Sequence, residues 1–192
     1  TNVTAGDSLV FDAARDTAQS SEKGITASAN LTTTKGKNML GVGAKAAGGY
    51  TSASATSSKA TAGTVTTGGK LNLSAGKAAS FEGTVIDAGG DATISGNEGV
   101  TMSAAKSTSS KQATDIGAGI NISGSKSSKD NETTKQRKIG GSVKVELGSE
   151  SKSVAVGGKV KSDGNLKISS GKDVTMEGTE LEAGNKASIT AG

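Results

Sequence analysis

The feature that most constrains the fold of this chain is a 21-residue repeat within residues 69–102. Leu71 and Leu73 are matched 21 positions later by Ala92 and Ile94. In both pairs two apolar residues flank one polar residue, which is the alternation of a half-buried strand. Short strands at a fixed spacing near 20 residues are typical of stacked coils, in which each coil buries its apolar row against the next. We therefore predict an all-β chain that forms a parallel β-helix, or solenoid, with coils of about 21 residues.

A longer repeat encloses the first one. Residues 69–97 align with residues 164–192 at an offset of 95, and residues 9–31 align with residues 100–122 at an offset of 91. The two offsets differ by four residues, so we predict small insertions between them, in a turn at Ser125–Lys138. The chain therefore contains two copies of a longer unit.

Each copy combines two kinds of sequence. Segments 1–14, 66–104 and 161–192 alternate apolar pairs with Ala-Gly or Gly-Gly turns, and we predict that they form the coils, with glycines at positive φ at the corners. Segments 15–65 and 105–160 are rich in Ser, Gly and Lys, and we predict antiparallel β-hairpins that decorate the coils; the alternative is a flexible loop. The side chains predicted to point inward are Leu71, Leu73, Phe81, Ile86, Ile94, Val100, Met102, Leu166, Ile168, Val174, Met176, Leu181 and Ile189. The predicted corner glycines are Gly76, Gly83, Gly89, Gly90, Gly171, Gly178 and Gly184.

The composition limits the chemistry that the chain can perform. Only 32% of residues are hydrophobic, which usually indicates disorder, but the net charge is only +4 and the apolar residues are regularly spaced. The chain has no Cys and no His, so it has no thiol nucleophile, no Ser-His-Asp triad and no usual zinc site. We therefore predict a non-enzymatic protein with no catalytic residue, no cofactor and no metal site.

A cluster of basic residues provides the one candidate contact site. Lys126, Lys129, Lys135, Arg137 and Lys138 all fall in the predicted turn, and such a cluster can contact an anionic surface such as a glycan, lipopolysaccharide or nucleic acid. Acidic residues interrupt the cluster and no aromatic residue is available to stack on bases, so we expect no specific nucleic-acid binding. The alternative is a solvated loop tip.

Two further motifs are interpreted as scaffold. Gly89-Gly90-Asp91 is similar to the start of a calcium-binding nonapeptide, but the rest of that motif does not follow, so we predict a structural turn. Glu82 and Glu177 occupy equivalent positions in the two copies, whereas a catalytic site normally occurs once. A β-helix enzyme that processes polysaccharides therefore stays a remote alternative.

The coil motifs resemble a known family. The pattern from Gly68 to Lys77 (Gly-Gly-Lys-Leu-Asn-Leu-Ser-Ala-Gly-Lys), followed by Phe81-Glu-Gly-Thr and Ile86-Asp-Ala-Gly-Gly-Asp, resembles the haemagglutinin repeats of two-partner-secretion exoproteins. These include the filamentous haemagglutinin-like adhesins and the contact-dependent growth-inhibition toxins of Gram-negative bacteria. The likeness covers essentially the whole chain, which begins and ends inside repeats, so we expect a piece of a longer protein.

The resemblance implies a right-handed parallel β-helix within a long, monomeric filament that is secreted or held on the cell surface of a Gram-negative bacterium. It also implies two partners, an outer-membrane transporter during export and the surface or envelope of a target cell. The leading hypothesis is a non-catalytic structural or interaction segment for adhesion or contact-dependent toxin delivery. The alternative is a toxin-translocation segment that rearranges at the target-cell envelope.

Overall fold

A computed structural model describes residues 1–129 and 132–192 of the chain. In chain order the first strands are β1 (Asn2–Ala5), β2 (Leu9–Phe11), β3 (Ala14–Gly36), β4 (Met39–Thr61), β5 (Gly63–Thr67), β6 (Leu71–Ala75), β7 (Ala78–Glu82), β8 (Thr84–Ala88) and β9 (Ala92–Gly96). The remaining strands are β10 (Gly99–Ser103), β11 (Ala105–Lys129), β12 (Glu132–Val156), β13 (Gly158–Ser162), β14 (Leu166–Ser170), β15 (Asp173–Glu177), β16 (Thr179–Ala183) and β17 (Ala187–Thr190). The fold is all-β, and the described residues include no helix with the length and apolarity needed to span a membrane.

The chain divides into two compact units. The first, which we call the coil unit, comprises Thr1–Ala18, Ser57–Ser109 and Lys152–Gly192. The second, which we call the sheet unit, comprises Gln19–Thr56 and Ser110–Ser151. Each of the four long strands, β3, β4, β11 and β12, has residues in both units.

The coil unit contains three sheets of parallel strands. Their strand orders are β1-β6-β9-β14-β17, β2-β7-β10-β15 and β5-β8-β13-β16. Three strands that follow one another along the chain, such as β6, β7 and β8, therefore belong to three different sheets, and the next strand returns to the first sheet. This arrangement is β-helix-like, and its parallel strands were predicted from the repeat.

The strand register explains both sequence repeats. Leu71 pairs with Ala92, 21 positions later, as the short repeat predicts. Where a long hairpin intervenes the spacing grows, so that Leu9 pairs with Ala79 at 70 positions and Ala92 pairs with Leu166 at 74. These two spacings differ by four residues, which is the difference between the two offsets of the long repeat. β3 and β4 have 23 residues each whereas β11 and β12 have 25 each, so the extra residues lengthen strands.

The predicted turn at Ser125–Lys138 is too long, because most of its residues belong to strands. β11 continues to Lys129 and β12 begins at Glu132, and Asp130 and Asn131 lie outside the described residues. The residue types of this stretch are typical of loops, but the backbone still pairs with its neighbours, as when Ser128 N donates a 2.9 Å hydrogen bond to Asn38 O.

The core of the coil unit is built from columns of stacked side chains, one from each parallel sheet. Leu73, Ile94 and Ile168 form one column and are fully buried. In a second column Phe81 stacks on Phe11 with ring centroids 5.4 Å apart, and Met102 follows. Ile86 and Val160 belong to the third column. Each coil therefore buries its apolar residues mainly against the next coil.

The inward assignment is correct for the nine predicted residues that precede the last described coil, since all are at most 3% exposed. Met176 and Ile189 lie in the same inward columns, beside Met102 and Ile168, but they are 38% and 47% exposed. Both lie in strands at the end of their sheets, β15 and β17, so no further strand covers them on one side. Val174 and Leu181, in the same coil, are partly buried against the core.

The corner glycines are required for two different reasons. Among the described residues, only Gly83 and Gly178 have a positive φ, of 55° and 61°. Positive φ was predicted for the other corners as well, and there the prediction is wrong. At Gly76 the constraint is space, because a Cβ would lie 2.2 Å from the carbonyl oxygen of Gly6 in the adjacent coil.

The sheet unit contains strands in the order β3-β4-β11-β12. Thr32 Oγ1 donates to Gly43 O and Thr51 Oγ1 donates to Gly24 O, so residue numbers fall along β3 as they rise along β4. Gly119 lies beside Ser142, and Gly117 beside Lys144, which gives the same opposed direction for β11 and β12. These contacts are those of antiparallel neighbours.

Candidate interaction surface

The sheet unit has two chemically different faces. Contacts of Gly24 with Thr51, of Gly119 with Ala47 and of Gly117 with Lys144 fix which residues lie side by side across the four strands. Because successive side chains in a strand point to opposite faces, and cross-strand neighbours share a face, this register assigns every residue to one face or the other. Odd-numbered residues of β3 and β12 share a face with even-numbered residues of β4 and β11.

That face is apolar, and we call it the apolar face. One row across the four strands is Ile25, Tyr50, Ile116 and Val145. The large apolar residues on this face are Ile25, Leu31, Leu40, Val42, Tyr50, Ile116, Ile120, Ile122, Ile139, Val143, Val145 and Leu147. These are twelve of the seventeen exposed large hydrophobic residues in the described part of the chain, and Ile25 is 85% exposed. Many exposed apolar residues on one face are typical of an interaction site, whereas single exposed hydrophobics are common on any protein surface.

The opposite face, which we call the polar face, carries small and hydrophilic side chains, with Met39 as an exception. One of its rows is Thr34, Gly41, Ser125 and Gln136, and these line a shallow depression of about 250 Å³. The acidic residues Asp115 and Glu146 also lie here. Lys144 Nζ lies 2.8 Å from Glu146 Oε1, and this hydrogen bond raises the pKa of Lys144. The polar face thus carries both signs of charge.

Charges on the apolar face are of one sign within the described residues. Lys35, Lys126 and Lys135 share one row at one end of the sheet with Leu40, and Arg137 lies in the next row. Lys23 lies near the opposite end, and no Asp or Glu of the described sheet unit is on this face. The surface therefore combines aliphatic side chains with cations at its edge.

The basic cluster predicted from the sequence is divided between the two faces. Lys126, Lys135 and Arg137 lie on the apolar face, whereas Lys129 and Lys138 lie on the polar face, and all five are exposed. Sequence reasoning did not identify the apolar face itself. The signal that could have found it was the recurrence of apolar residues at even-numbered positions of β11, such as Ile116, Ile120 and Ile122.

Several charged residues of the coil unit join adjacent coils. Asp91 Oδ1 accepts hydrogen bonds of 2.9 Å and 3.1 Å from the backbone N and Nδ2 of Asn165, and its Oδ2 lies 2.9 Å from Lys70 Nζ. The bond from the Asn165 backbone, with the Lys70 pair, lowers the pKa of Asp91 to about 2. Glu82 pairs with Arg15. Within residues 1–129 and 132–192, no group of three or more carboxylates is placed to hold a metal ion.

Comparison with known proteins supports the family resemblance. A family model described as hemagglutinin repeat matches residues 1–97 and 53–192, which together cover the whole chain. A hemolysin of Serratia marcescens is 26% identical over 194 aligned positions. The alignment covers 97% of this chain and 12% of the hemolysin, so the chain spans a small part of that relative's length.

Proposed function

Because the chain belongs to the hemagglutinin-repeat family, we propose that it is a non-catalytic interaction segment of a secreted or cell-surface bacterial filament. Its role is adhesion to a target cell or contact-dependent delivery of a toxin. The observation that carries this proposal is the exposed apolar face of the sheet unit, on which twelve large hydrophobic residues are open to solvent. A surface of this kind is built for contact with another apolar phase.

The two kinds of segment have separate tasks in this proposal. Segments 1–14, 66–104 and 161–192 form a right-handed β-helix whose length grows with the number of coils. Segments 15–65 and 105–160 supply the hairpins that make the contact. Parallel coils with a fixed 21-residue register support the first task, because such coils extend a rod by nearest-neighbour stacking.

Export and location follow the family. We expect a Gram-negative bacterium to secrete the filament through an outer-membrane transporter of the two-partner type. The relative from Serratia marcescens, a hemolysin, supports a secreted context for the repeats. We expect the filament to be monomeric, since each coil requires only its neighbours in the chain.

The partner of the apolar face is an anionic lipid surface. The aliphatic residues of the apolar face, such as Ile120 and Val143, can be buried at the acyl boundary of a bilayer. The cations Lys126, Lys135 and Arg137 can contact anionic headgroups. No Asp or Glu among the described residues of this face would repel such a surface. Lipopolysaccharide in a target outer membrane has the required charge and acyl chains.

A second candidate function is a translocation segment that rearranges at the target-cell envelope. The observation that favours it is the burial pattern of the sheet unit, in which Leu31, Ile139 and Leu147 are each more than three-quarters exposed. A sheet that has not buried its own apolar residues loses little on moving to an apolar environment. Its hairpins therefore suit a change of state on membrane contact.

Co-flotation with vesicles tests the leading proposal. The wild-type chain should float with vesicles that contain phosphatidylglycerol or lipopolysaccharide and much less with phosphatidylcholine vesicles. The double variant Ile120→Ser/Val143→Ser should lose roughly a hundredfold or more in affinity, because each aliphatic side chain contributes about 1.5–3 kcal/mol when buried. The control Thr32→Ser/Thr34→Ser trims the polar face and should bind like wild type. Equal binding by both double variants would contradict the role of the apolar face.

A further inference from the structure

Three cations lie close together at one end of the apolar face. The contact of Gly119 with Ser142 fixes the register of β11 and β12, and seven positions further along this register places Lys126 directly opposite Lys135. Opposite residues in antiparallel strands have Cβ atoms about 4.5–5.5 Å apart, and like charges placed in this way destabilise a sheet. Arg137 is the diagonal neighbour of Lys126, at about 7–8 Å. We call these three residues the cation cluster.

The cation cluster has no counter-charge among the described residues. None of the ion pairs found there includes Lys126, Lys135 or Arg137, and all three side chains are exposed. Every Asp and Glu of the described sheet unit lies on the polar face, including Glu132 in the same strand as Lys135. An anion that bridges the three cations would therefore relieve their mutual repulsion.

A gap in the side chains lies beside the cation cluster. Gly124 is on the apolar face of β11, between Val42 of β4 and Arg137 of β12. Apart from its chain neighbours, a Cβ at Gly124 would meet one atom within 4 Å, the backbone oxygen of Gln136 at 3.8 Å. The space over this glycine is therefore open, with Lys126 and Arg137 at its rim. We call it the Gly124 notch.

We propose that the Gly124 notch binds the phosphomonoester headgroup of a membrane lipid. This inference rests on the membrane contact proposed above and names the headgroup that the apolar face selects. A phosphomonoester carries a charge of about −1.5 to −2 at pH 7 and three strong acceptor oxygens, whereas a phosphodiester carries one negative charge. The guanidinium of Arg137 can donate two parallel hydrogen bonds to phosphate, and Lys126 and Lys135 supply two further charges.

The residues next to the notch favour a lipid over free phosphate. Leu31, Ile122 and Ile139 occupy the next row towards the middle of the apolar face, and all three are exposed. A headgroup held at the notch would therefore have aliphatic side chains beside it, where they can contact the acyl chains of the same lipid. The cations and the aliphatic residues are thus arranged in the order of the headgroup and the acyl chains.

Titration with two kinds of vesicle tests the headgroup. The vesicles contain either phosphatidic acid, a phosphomonoester, or phosphatidylglycerol, a phosphodiester, with identical acyl chains and with amounts adjusted to equal surface potential. At about pH 7.5 we expect the wild-type chain to bind the phosphatidic acid vesicles roughly fivefold or more tightly, because the second charge strengthens the hydrogen bonds from the cations.

The preference for phosphatidic acid should also depend on pH. Near pH 5 a phosphomonoester loses most of its second charge, since its second pKa is about 6, so the preference should fall below about twofold. The charged groups on the apolar face of the described sheet unit are Lys23, Lys35, Lys126, Lys135 and Arg137. None of these titrates between pH 5 and pH 7.5, so the change would come from the lipid.

Three variants locate the headgroup at the notch. Gly124→Val fills the open space and keeps every charge, so the preference should fall below about twofold while binding to phosphatidylglycerol vesicles is retained. Lys135→Gln should reduce the preference as well. The control Lys23→Gln removes a cation near the opposite end of the same face and should weaken binding to both vesicles alike, with the preference kept. Circular dichroism checks that each variant retains its strands.

The outcomes separate this inference from the proposed function. Equal binding of the wild-type chain to both vesicles, with loss of binding in Ile120→Ser/Val143→Ser, would overturn the headgroup assignment and leave the membrane contact in place. No binding to either vesicle would overturn both. A preference that Gly124→Val retains would overturn the notch. Displacement from phosphatidic acid vesicles by inorganic phosphate, but not by sodium chloride of equal ionic strength, would identify free phosphate as the ligand and overturn the lipid assignment.

Discussion

Asp91 illustrates how single residues hold adjacent coils together. Its carboxylate accepts two hydrogen bonds from Asn165, which lies 74 positions later in the chain but in the adjacent coil, and also contacts Lys70. The residue follows Gly89 and Gly90, a motif that on sequence grounds is similar to part of a calcium site. In the structure its oxygens are used by protein donors, which agrees with the predicted structural turn.

The lowered pKa of Asp91 leads to a prediction about acid stability. The folded-state pKa of about 2 lies below the ordinary value of 3.8, so the ionised carboxylate stabilises the fold. This contribution is complete above pH 4 and declines as the pH falls through 2. We expect the urea midpoint of wild type to exceed that of Asp91→Asn at pH 6, and the gap to narrow towards pH 2.

The control for this experiment is Asp16→Asn, which changes an exposed carboxylate that forms none of the ion pairs found among the described residues. Its urea midpoint should stay close to that of wild type at both pH values. A gap between wild type and Asp91→Asn that is equally large at pH 6 and pH 2 would contradict the electrostatic explanation.

At the scale of elements, the coil strands were predictable and the long strands were not. In β6 and β9 one face is buried and the other is not, so apolar residues alternate clearly with polar ones. In the long strands both faces are exposed, and the apolar face includes Ala27, Ala29 and Gly48 among its larger residues. Small residues weaken the alternation, and the sequence therefore predicted hairpins without showing that one face is apolar.

The length of the turn at Ser125–Lys138 was mispredicted for a related reason. Residue types alone indicated a loop, whereas pairing with β4 extends β11 to Lys129. Strand propensity depends on neighbouring strands more than on the residues themselves. The division of the basic cluster between two faces could not be predicted from the sequence either, because it depends on strand register.

A matched pair of substitutions tests the stacked core. Ile94 is fully buried in the middle of its column, and Ile189 is 47% exposed at the end of the same column. We expect Ile94→Ala to lower the free energy of unfolding by about 2–5 kcal/mol, because it removes buried methyl groups and leaves a cavity. Ile189→Ala should cost roughly 1 kcal/mol or less, since that side chain is half exposed. Urea denaturation of both variants measures the difference. Equal losses in the free energy of unfolding would contradict the stacked arrangement of these residues.

At the scale of the whole molecule, the buried apolar core and the exposed hydrophobic residues lie mostly in different units. The fully buried apolar residues lie in the coil unit, whereas most exposed large hydrophobics lie in the sheet unit. We therefore attribute the stability of the fold to the coil unit and propose that the sheet unit makes the contact with a partner. Changes on the apolar face are expected to alter binding while leaving the unfolding transition of the coil unit in place.

The basic residues provide a prediction that depends on the face of the sheet. Substitution of Lys126, Lys135 and Arg137 by Gln removes three cations from the apolar face. At low salt this should weaken binding to anionic vesicles by roughly a hundredfold, since each cation near such a surface contributes about 1 kcal/mol. The double change Lys129→Gln/Lys138→Gln, on the polar face, should have a clearly smaller effect. Titration of each variant with vesicles measures its affinity. Similar losses of affinity for both variants would contradict the division of the basic cluster between the two faces.

The most direct test of the central claim is a fluorescence scan along β11. Single Cys residues are introduced one at a time from position 116 to position 122, labelled with an environment-sensitive dye and mixed with vesicles that contain lipopolysaccharide or phosphatidylglycerol. We expect emission to shift to the blue at positions 116, 118, 120 and 122 and to stay unchanged at positions 117, 119 and 121, because only the even-numbered side chains of β11 lie on the apolar face. A uniform shift, or no shift at any position, would contradict the claim that this face makes the contact.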